Sequence, residues 1–317
     1  MTQTTQATID WLLASAWGTM PAGDLPAWWS QYCQAFTQDR LPACDPIAAA
    51  VGGGAMAECV AHAFASGYQN ALRAEFTALD GMQWRALLVS EATGKSPKQI
   101  HTRLEPNANG GWTLNGTKSY VSGGALAQQL LVLAHAGEFA DGRKRMRLAH
   151  FSADRTGVSI QARPPAAVMP EFQYGTAVFN EVPLANEELI PGDGFADHAR
   201  PFAARESVFI FAAVLGYLFK LAVKYSGSTS LCERLLAAIS MYSGLASLDP
   251  NTPAAELATQ GGHALAGQLV AECDASLGDL PAPIRDAWAR DRAILRMGQA
   301  GAARATKTWA QLGVQRD

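Results

Sequence analysis

Apolar positions recur along the chain with two different periods, and the changes between them divide the sequence into three stretches. From residue 1 to about 82 they repeat at helical spacing, most clearly in AMAECVAHAFASGYQNALRAEF, and no strand-like alternation interrupts them. From Gln83 to about Pro191 the period falls to two. RALLVSEA is a short apolar run, IHTRLEP sets Ile100, Thr102 and Leu104 on one face, and NANGG is turn chemistry. WTLNGTKSYVS, Trp112 to Ser122, reads as a hairpin around a tight turn at Asn115-Gly116, because Asn-Gly between apolar runs is a strong hairpin signal. QQLLVLAHA, RMRLAHFSA, GVSIQARP and TAVFNEVPL follow as further short strands, so this stretch is expected to form a small sandwich or barrel. After PGDGF the helical period returns. SVFIFAAVLGYLFKLAVKY, AAELATQGGHALAGQLVAECDASL and IRDAWARDRAILRMGQAGAARATKTWAQL are each read as one helix. The expected organisation is an α+β multidomain chain: a helical domain over 1–82, a β domain over 83–191 and a second helical domain over 192–317.

Composition narrows the function classes. The 317 residues are 49% hydrophobic and carry a net charge of -3, which argues against a nucleic-acid-binding surface as the main business. The short basic cluster Arg143-Lys144-Arg145 with Arg147 reads as a solvated loop. Cys33, Cys44, Cys59, Cys232 and Cys273 form no C-x-x-C pair, so reduced thiols are expected, with neither a disulfide framework nor a zinc site. The N-terminus lacks a basic start followed by an apolar run, and Val208 to Phe219 is too short an apolar segment for a membrane span. A buried core helix and a cytoplasmic location are the expectations.

Several motif-like stretches do not carry chemistry. TGKS at Thr93 to Ser96 lacks the earlier glycine of a phosphate-binding loop, where Val89 stands. Gly52-Gly53-Gly54 follows no strand and is read as a loop or a helix start, not a dinucleotide fingerprint. His62, His101, His135, His150, His198 and His263 show no ligand spacing. No Gly-x-Ser-x-Gly elbow occurs.

What remains is a constellation. LLVSEATGKSP, Leu87 to Pro97, is similar to the Tyr-Cys-Val-Thr-Glu-Pro-Gly-Ala-Gly-Ser-Asp segment of the acyl-CoA dehydrogenase family. WTLNGTKSYVSGG resembles that family's Leu-Asn-Gly-x-Lys-x-Trp-Ile-Thr-Asn-Gly segment, and Ser90 and Ser122 stand 32 positions apart, as the two family motifs do. GVSIQ and TAVFNEVPLANEELI resemble the later strands, and RESVFIFAAVLGYL resembles the helix that opens the C-terminal domain. The helical, β, helical order agrees, and the likeness runs over roughly residues 40 to 313.

The resemblance implies an FAD-dependent oxidoreductase acting on the CH–CH bond of an acyl-CoA-type thioester. A proton leaves the α carbon and a hydride leaves the β carbon for flavin N5. Tyr120 would stack on the flavin, Val121 would offer backbone contacts and Ser122 would supply the hydroxyl near N5. Ser90 would lie by the pyrimidine edge with Val89 beside it, and Ser96 keeps the last hydroxyl of the first motif. Most members carry the base after a Gly-Gly-x-Gly-Tyr segment, which TWAQLGVQRD does not supply. Others carry it on the first helix of the C-terminal domain, ten residues before the Gly of Leu-Gly. Glu206 stands ten residues before Gly216 and is the candidate base, against a plainer reading as a first-turn acid. The sequence departs from the family where KYSGSTSLCERL replaces Arg-x-x-Phe-Gly and AQLGV stands for Gln-x-x-Gly-Gly, elements that grip the far end of FAD. An alternative expectation is therefore a non-catalytic subunit paired with a full-length dehydrogenase. Homo-oligomers or such hetero-oligomers are implied, with neither nucleic acid nor membrane as partner.

Overall fold

The computed structural model describes residues 3–14, 24–38, 45–79, 81–278 and 280–314. It divides into two compact units. One comprises Met1–Ala78, Ala167–Met169 and Ala204–Asp317; the other comprises Leu79–Ala166 and Pro170–Ala203. The Cys44 expectation lies outside the described residues; Cys33, Cys59, Cys232 and Cys273 are not joined in disulfides.

The first unit is helical. Helices α1 (Gln3–Leu13), α2 (Leu25–Thr37), α3 (Pro46–Met56) and α4 (Val60–Glu75) precede the β unit. Asp24 and Asp45 cap α2 and α3 by accepting from Ala27 N and Ile47 N, each followed by a proline in the first turn, so the starts of both helices are written locally. Gly52, Gly53 and Gly54 lie inside α3 and are buried, not in a loop or at a helix start. At Gly53 and Gly54 the reason is packing. A Cβ on Gly54 would sit 1.8 Å from the Ala213 carbonyl, and one on Gly67 would sit 2.5 Å from Ile210 Cα. Small residues thus let α3 and α4 meet α5 (Arg200–Leu221) backbone against backbone. With its flanking turns this helix runs Gly194–Ser226, 33 residues, longer than the apolar core read from the sequence. It is long and apolar enough to cross a membrane, yet 83% of its apolar window is buried inside the protein.

The unit continues with α6 (Thr229–Ala246), α7 (Pro253–Ser276), α8 (Ala282–Asp291) and α9 (Ala302–Gln311). The last stretch, expected as one helix, is broken: Arg292–Gly301 is a 3₁₀ segment between α8 and α9. Buried Asp291, at the break, accepts from Met169 N at 2.8 Å and pairs with Arg290 at 2.6 Å. Long-range bonding of this kind overrides local helical periodicity.

The second unit is one hydrogen-bonded sheet. Its strands are β1 (Arg85–Leu88), β2 (Arg103–Pro106), β3 (Trp112–Ser122), β4 (Gln129–Glu138), β5 (Lys144–Ser152), β6 (Val158–Ala162), β7 (Tyr174–Leu184) and β8 (Leu189–Ile190). Their order is β6-β7-β3-β2-β4-β5-β8, with β1 pairing in parallel on β4. The hairpin expected at Asn115-Gly116 is not there. Trp112–Ser122 is a single strand, and the hairpin joins β2 to β3 through Asn107–Gly111. Asn107 Oδ1 accepts from Asn109 N and Gly111 N, both at 3.0 Å, which closes that turn.

Asn115 serves a β-bulge instead. Leu114 pairs with Val182 and Gly116 with Phe179, so Asn180 and Glu181 oppose Asn115 alone. Asn115 accepts from Glu181 N and donates to Glu181 Oε1, both at 2.8 Å, and so holds Glu181 at a φ of 51°.

Candidate functional site

A second bulge decides where the expected site residues point. Lys118 pairs with Ala177 and Val121 with Gly175, so Ser119 and Tyr120 together oppose one residue of β7. In an unbroken strand Lys118, Tyr120 and Ser122 would share a face. The extra residue turns Lys118 inward with Val121, both fully buried, and leaves Tyr120 48% exposed. Ser122, two residues beyond Tyr120 and on its face of the strand, is half-buried.

The end of β3 is firmly fixed. Trp84, fully buried, donates its indole N–H to Ser122 O at 2.8 Å, and Gly123 N donates to Gln173 O at 2.9 Å. Gly123 adopts a φ of 87°, and a Cβ there would meet the Trp84 ring at 2.3 Å, so only glycine ends the strand this way. Tyr174 stands edge-on to Tyr120, with centroids 6.0 Å apart. Arg163 lies over the Tyr120 ring at 4.6 Å and donates to Ser119 O at 2.9 Å. One face of the expected stacking residue is therefore already covered by a guanidinium.

The segment after β1 is held against β3. Val89 O accepts from Lys118 Nζ at 3.1 Å, and Ser90 O accepts from Ser119 N at 2.9 Å. Lys118 also meets Glu91 Oε1 at 2.8 Å, with side chains 0% and 7% exposed. Glu91 accepts in addition from His101 N at 2.7 Å and Thr102 N at 3.0 Å. Burial alone would raise the Glu91 carboxyl; the Lys118 bond and charge and the two amides outweigh it and hold it below the usual range. Burial pulls the Lys118 ammonium down to about 8, with Glu91 opposing. Val89, Ser90, Tyr120, Val121 and Ser122 thus come together on one framework. Lys118 is the lysine of the Leu-Asn-Gly-x-Lys pattern; a lysine amid alternating strand residues carries no local sign of burial, and only the bulge reveals it.

Ser96 stands apart from that framework. Its hydroxyl donates to Gln99 Oε1 at 2.7 Å and opens the single 3₁₀ turn Pro97–Gln99. It lines a cleft of about 760 Å³ together with Lys98, Phe139, Arg143, Lys144 and Phe195, which none of the other expected site residues lines.

Glu206 belongs to the helical unit and is half-buried. It is the seventh residue of α5, which the helical turn Gly194–Ala199 extends backwards, so the first-turn reading of this acid does not hold. Its neighbours in sequence are engaged. Arg205 pairs with Glu75 at 2.8 Å, and Ser207 leads into a buried polar chain. The Ser207 hydroxyl donates to Ala204 O at 2.8 Å, so His263 Nε2 carries the proton and donates to Ser207 Oγ at 3.0 Å. The remaining ring nitrogen, Nδ1, accepts from Tyr242 OH at 2.7 Å. Burial holds His263 at a pKa of about 4, so the ring is neutral, and Phe211 lies 4.2 Å from it. No local signal in the sequence marks this satisfied chain, because its members come from α5, α6 and α7. Among the described residues, no group of three or more His, Cys, Asp or Glu is placed to hold a metal.

No protein-family model matches the chain, and no curated protein matches it by sequence. Solved structures do. The prolyl acyl carrier protein oxidase AnaB superposes with a TM-score of 0.73 at 13% identity, over 99% of this chain and 100% of that one. Glutaryl-CoA dehydrogenase from Mycobacterium smegmatis gives 0.69 at 13% identity, over 100% and 96%. Butyryl-CoA dehydrogenase from Megasphaera elsdenii gives 0.63 at 15% identity, over 96% and 98%. At these identities the likeness speaks for the fold, and over the whole described chain that fold is the one shared by the acyl-CoA dehydrogenases.

Proposed function

We propose that this protein is a flavin-dependent oxidoreductase that desaturates the CH–CH bond next to an acyl thioester. The observation that carries the reading is the edge formed by Tyr120 and Ser122. A half-exposed aromatic and a hydroxyl lie on one face of a strand end that Trp84, Gln173 and Ser90 hold in place. These groups fit a planar heteroaromatic ring: an aromatic side chain, main-chain groups and a hydroxyl sit on a rigid element. Tyr120, Val121 and Ser122 would hold FAD there, with Val89 and Ser90 alongside. When bound, FAD supplies the hydride acceptor. Fold likeness to several thioester oxidoreductases supports the same reading. That the prolyl carrier-protein oxidase is among them widens the substrate class to thioesters carried on a protein as well as on CoA.

Glu206 is the proposed base. Its role is to take the α proton, made acidic by the thioester carbonyl; its half-buried place on a long core helix supports the assignment. The absence of Arg-x-x-Phe-Gly before α6 favours a second reading, in which the chain completes the site of a full-length dehydrogenase.

The experiment is visible absorption of the purified protein before and after adding FAD, then anaerobic bleaching with a panel of acyl-CoA and acyl-carrier thioesters. Flavin bands that bleach support the enzyme. A protein without flavin bands that takes up no FAD sinks it. Turnover only after co-purification with a related dehydrogenase supports the second reading.

A further inference from the structure

We infer that the buried pair Lys118–Glu91 is a positioning clamp that sets the spacing of the two flavin-facing segments, Val89–Ser90 and Tyr120–Ser122. The inference rests on the flavin reading above and assigns the pair a task within it.

The geometry is specific. Lys118 sits on β3 just before the bulge that exposes Tyr120. Its ammonium reaches Val89 O at 3.1 Å and Glu91 Oε1 at 2.8 Å, so one side chain grips both the main chain of one segment and the acid that follows it. Glu91 in turn fixes the approach to β2, through His101 N at 2.7 Å and Thr102 N at 3.0 Å. Ser119 N to Ser90 O at 2.9 Å adds a direct strut one residue further along. Four bonds therefore converge on one carboxylate and one ammonium, one of them ending on Val89, and the Ser119 amide adds a fifth strut that ends on Ser90.

Chemistry favours a positioning role over a plain stabilising one. A buried ion pair gives little net stability compared with apolar residues of the same shape, because both ions must leave water. What it does well is fix geometry: each ion is satisfied in one arrangement only, and a shift of either segment strands a charge. Here the Lys118 side chain is 0% exposed, and the segments it joins lie 29 positions apart at Val89 and Lys118. No local turn holds them at that spacing.

The test uses the full chain as wild type, Lys118→Met, Glu91→Gln and the double variant. Each is titrated with FAD by flavin fluorescence, below the melting temperature of the least stable variant, and the visible spectrum of each complex is recorded. Lys118→Met strands the Glu91 carboxylate and is expected to weaken FAD binding by roughly tenfold or more, with a shifted or less resolved long-wavelength flavin band. The double variant strands no charge and is expected to bind FAD more tightly than Lys118→Met. Hydrogen exchange at the Ser119 and Thr102 amides reports the clamp without flavin, and both should exchange faster in Lys118→Met. Lys118→Met that binds FAD with wild-type affinity and spectrum, while wild type binds normally, overturns the clamp and leaves the flavin reading standing. Wild type that binds no FAD overturns the flavin reading, and the clamp's role with it.

Discussion

The Arg163 guanidinium lies 4.6 Å from the centroid of the Tyr120 ring and donates to the carbonyl of Ser119, the other residue of the bulge. The ring is thus not free to turn: a cation caps one face and Tyr174 meets its flank edge-on. At an exposed site this pairing contributes on the order of 0.5–1 kcal/mol. A double-mutant cycle over Arg163→Ala and Tyr120→Leu, read by urea unfolding, should return a coupling of about that size. A coupling of zero would mean that the two side chains do not meet in solution.

The second prediction concerns the base. Glu206→Gln should bind FAD as wild type does but fail to bleach under any thioester that bleaches wild type, with the reductive rate down by about 10²–10⁴. Anaerobic stopped-flow absorbance checks it. Bleaching at an unchanged rate would move the proton acceptor elsewhere.

His263 predicts a pH dependence. Burial lowers its pKa from 6.5 to about 4 in the fold, while the unfolded chain keeps the ordinary value. Between those two values the unfolded state binds more protons, so stability is fully present above about pH 6.5 and is lost as the pH falls toward 4. The loss is on the order of 3 kcal/mol by linkage. Glu91 and Glu188, both held below the ordinary carboxylate range, add losses at still lower pH. Thermal melts from pH 7.5 to 4 should show the decline, and His263→Gln should flatten its upper part. Tyr242→Phe, which leaves the buried Nδ1 without its donor, should cost about 1–3 kcal/mol at pH 7.

The glycines of α3 and α4 predict a packing limit. Gly54→Ala puts a methyl 1.8 Å from the Ala213 carbonyl, which is backbone and cannot swing aside. The helices must part, at a cost of about 3 kcal/mol or more. Gly67→Ala should behave alike against Ile210. Gly261→Ala on α7, where a Cβ meets nothing within 4 Å, should be neutral or mildly stabilising. Chemical denaturation of the three variants separates close approach from helix propensity.

The order of elements and most of their locations are written in the local pattern of residues. Helical and alternating periods are local, so α4, α5, α7 and the strands β1, β2 and β4 to β7 were legible wherever burial follows one face of one element, whereas β3 reads locally as two strands. The β2–β3 turn was legible too, since NANGG needs no distant partner. Features set by a neighbour far along the chain emerge only once the chain is folded. Asn115-Gly116 has the composition of a turn, yet β7 supplies Glu181, 66 positions away, and makes it a bulge. Gly52–Gly54 look like a loop until α2 and α4 pack on Gly53 and α5 packs on Gly54. The final helix breaks where Asp291 turns to Met169. The exposure of Tyr120 and the burial of Lys118 follow from one extra residue in β3, and strand pairing, not periodicity, decides where an extra residue falls.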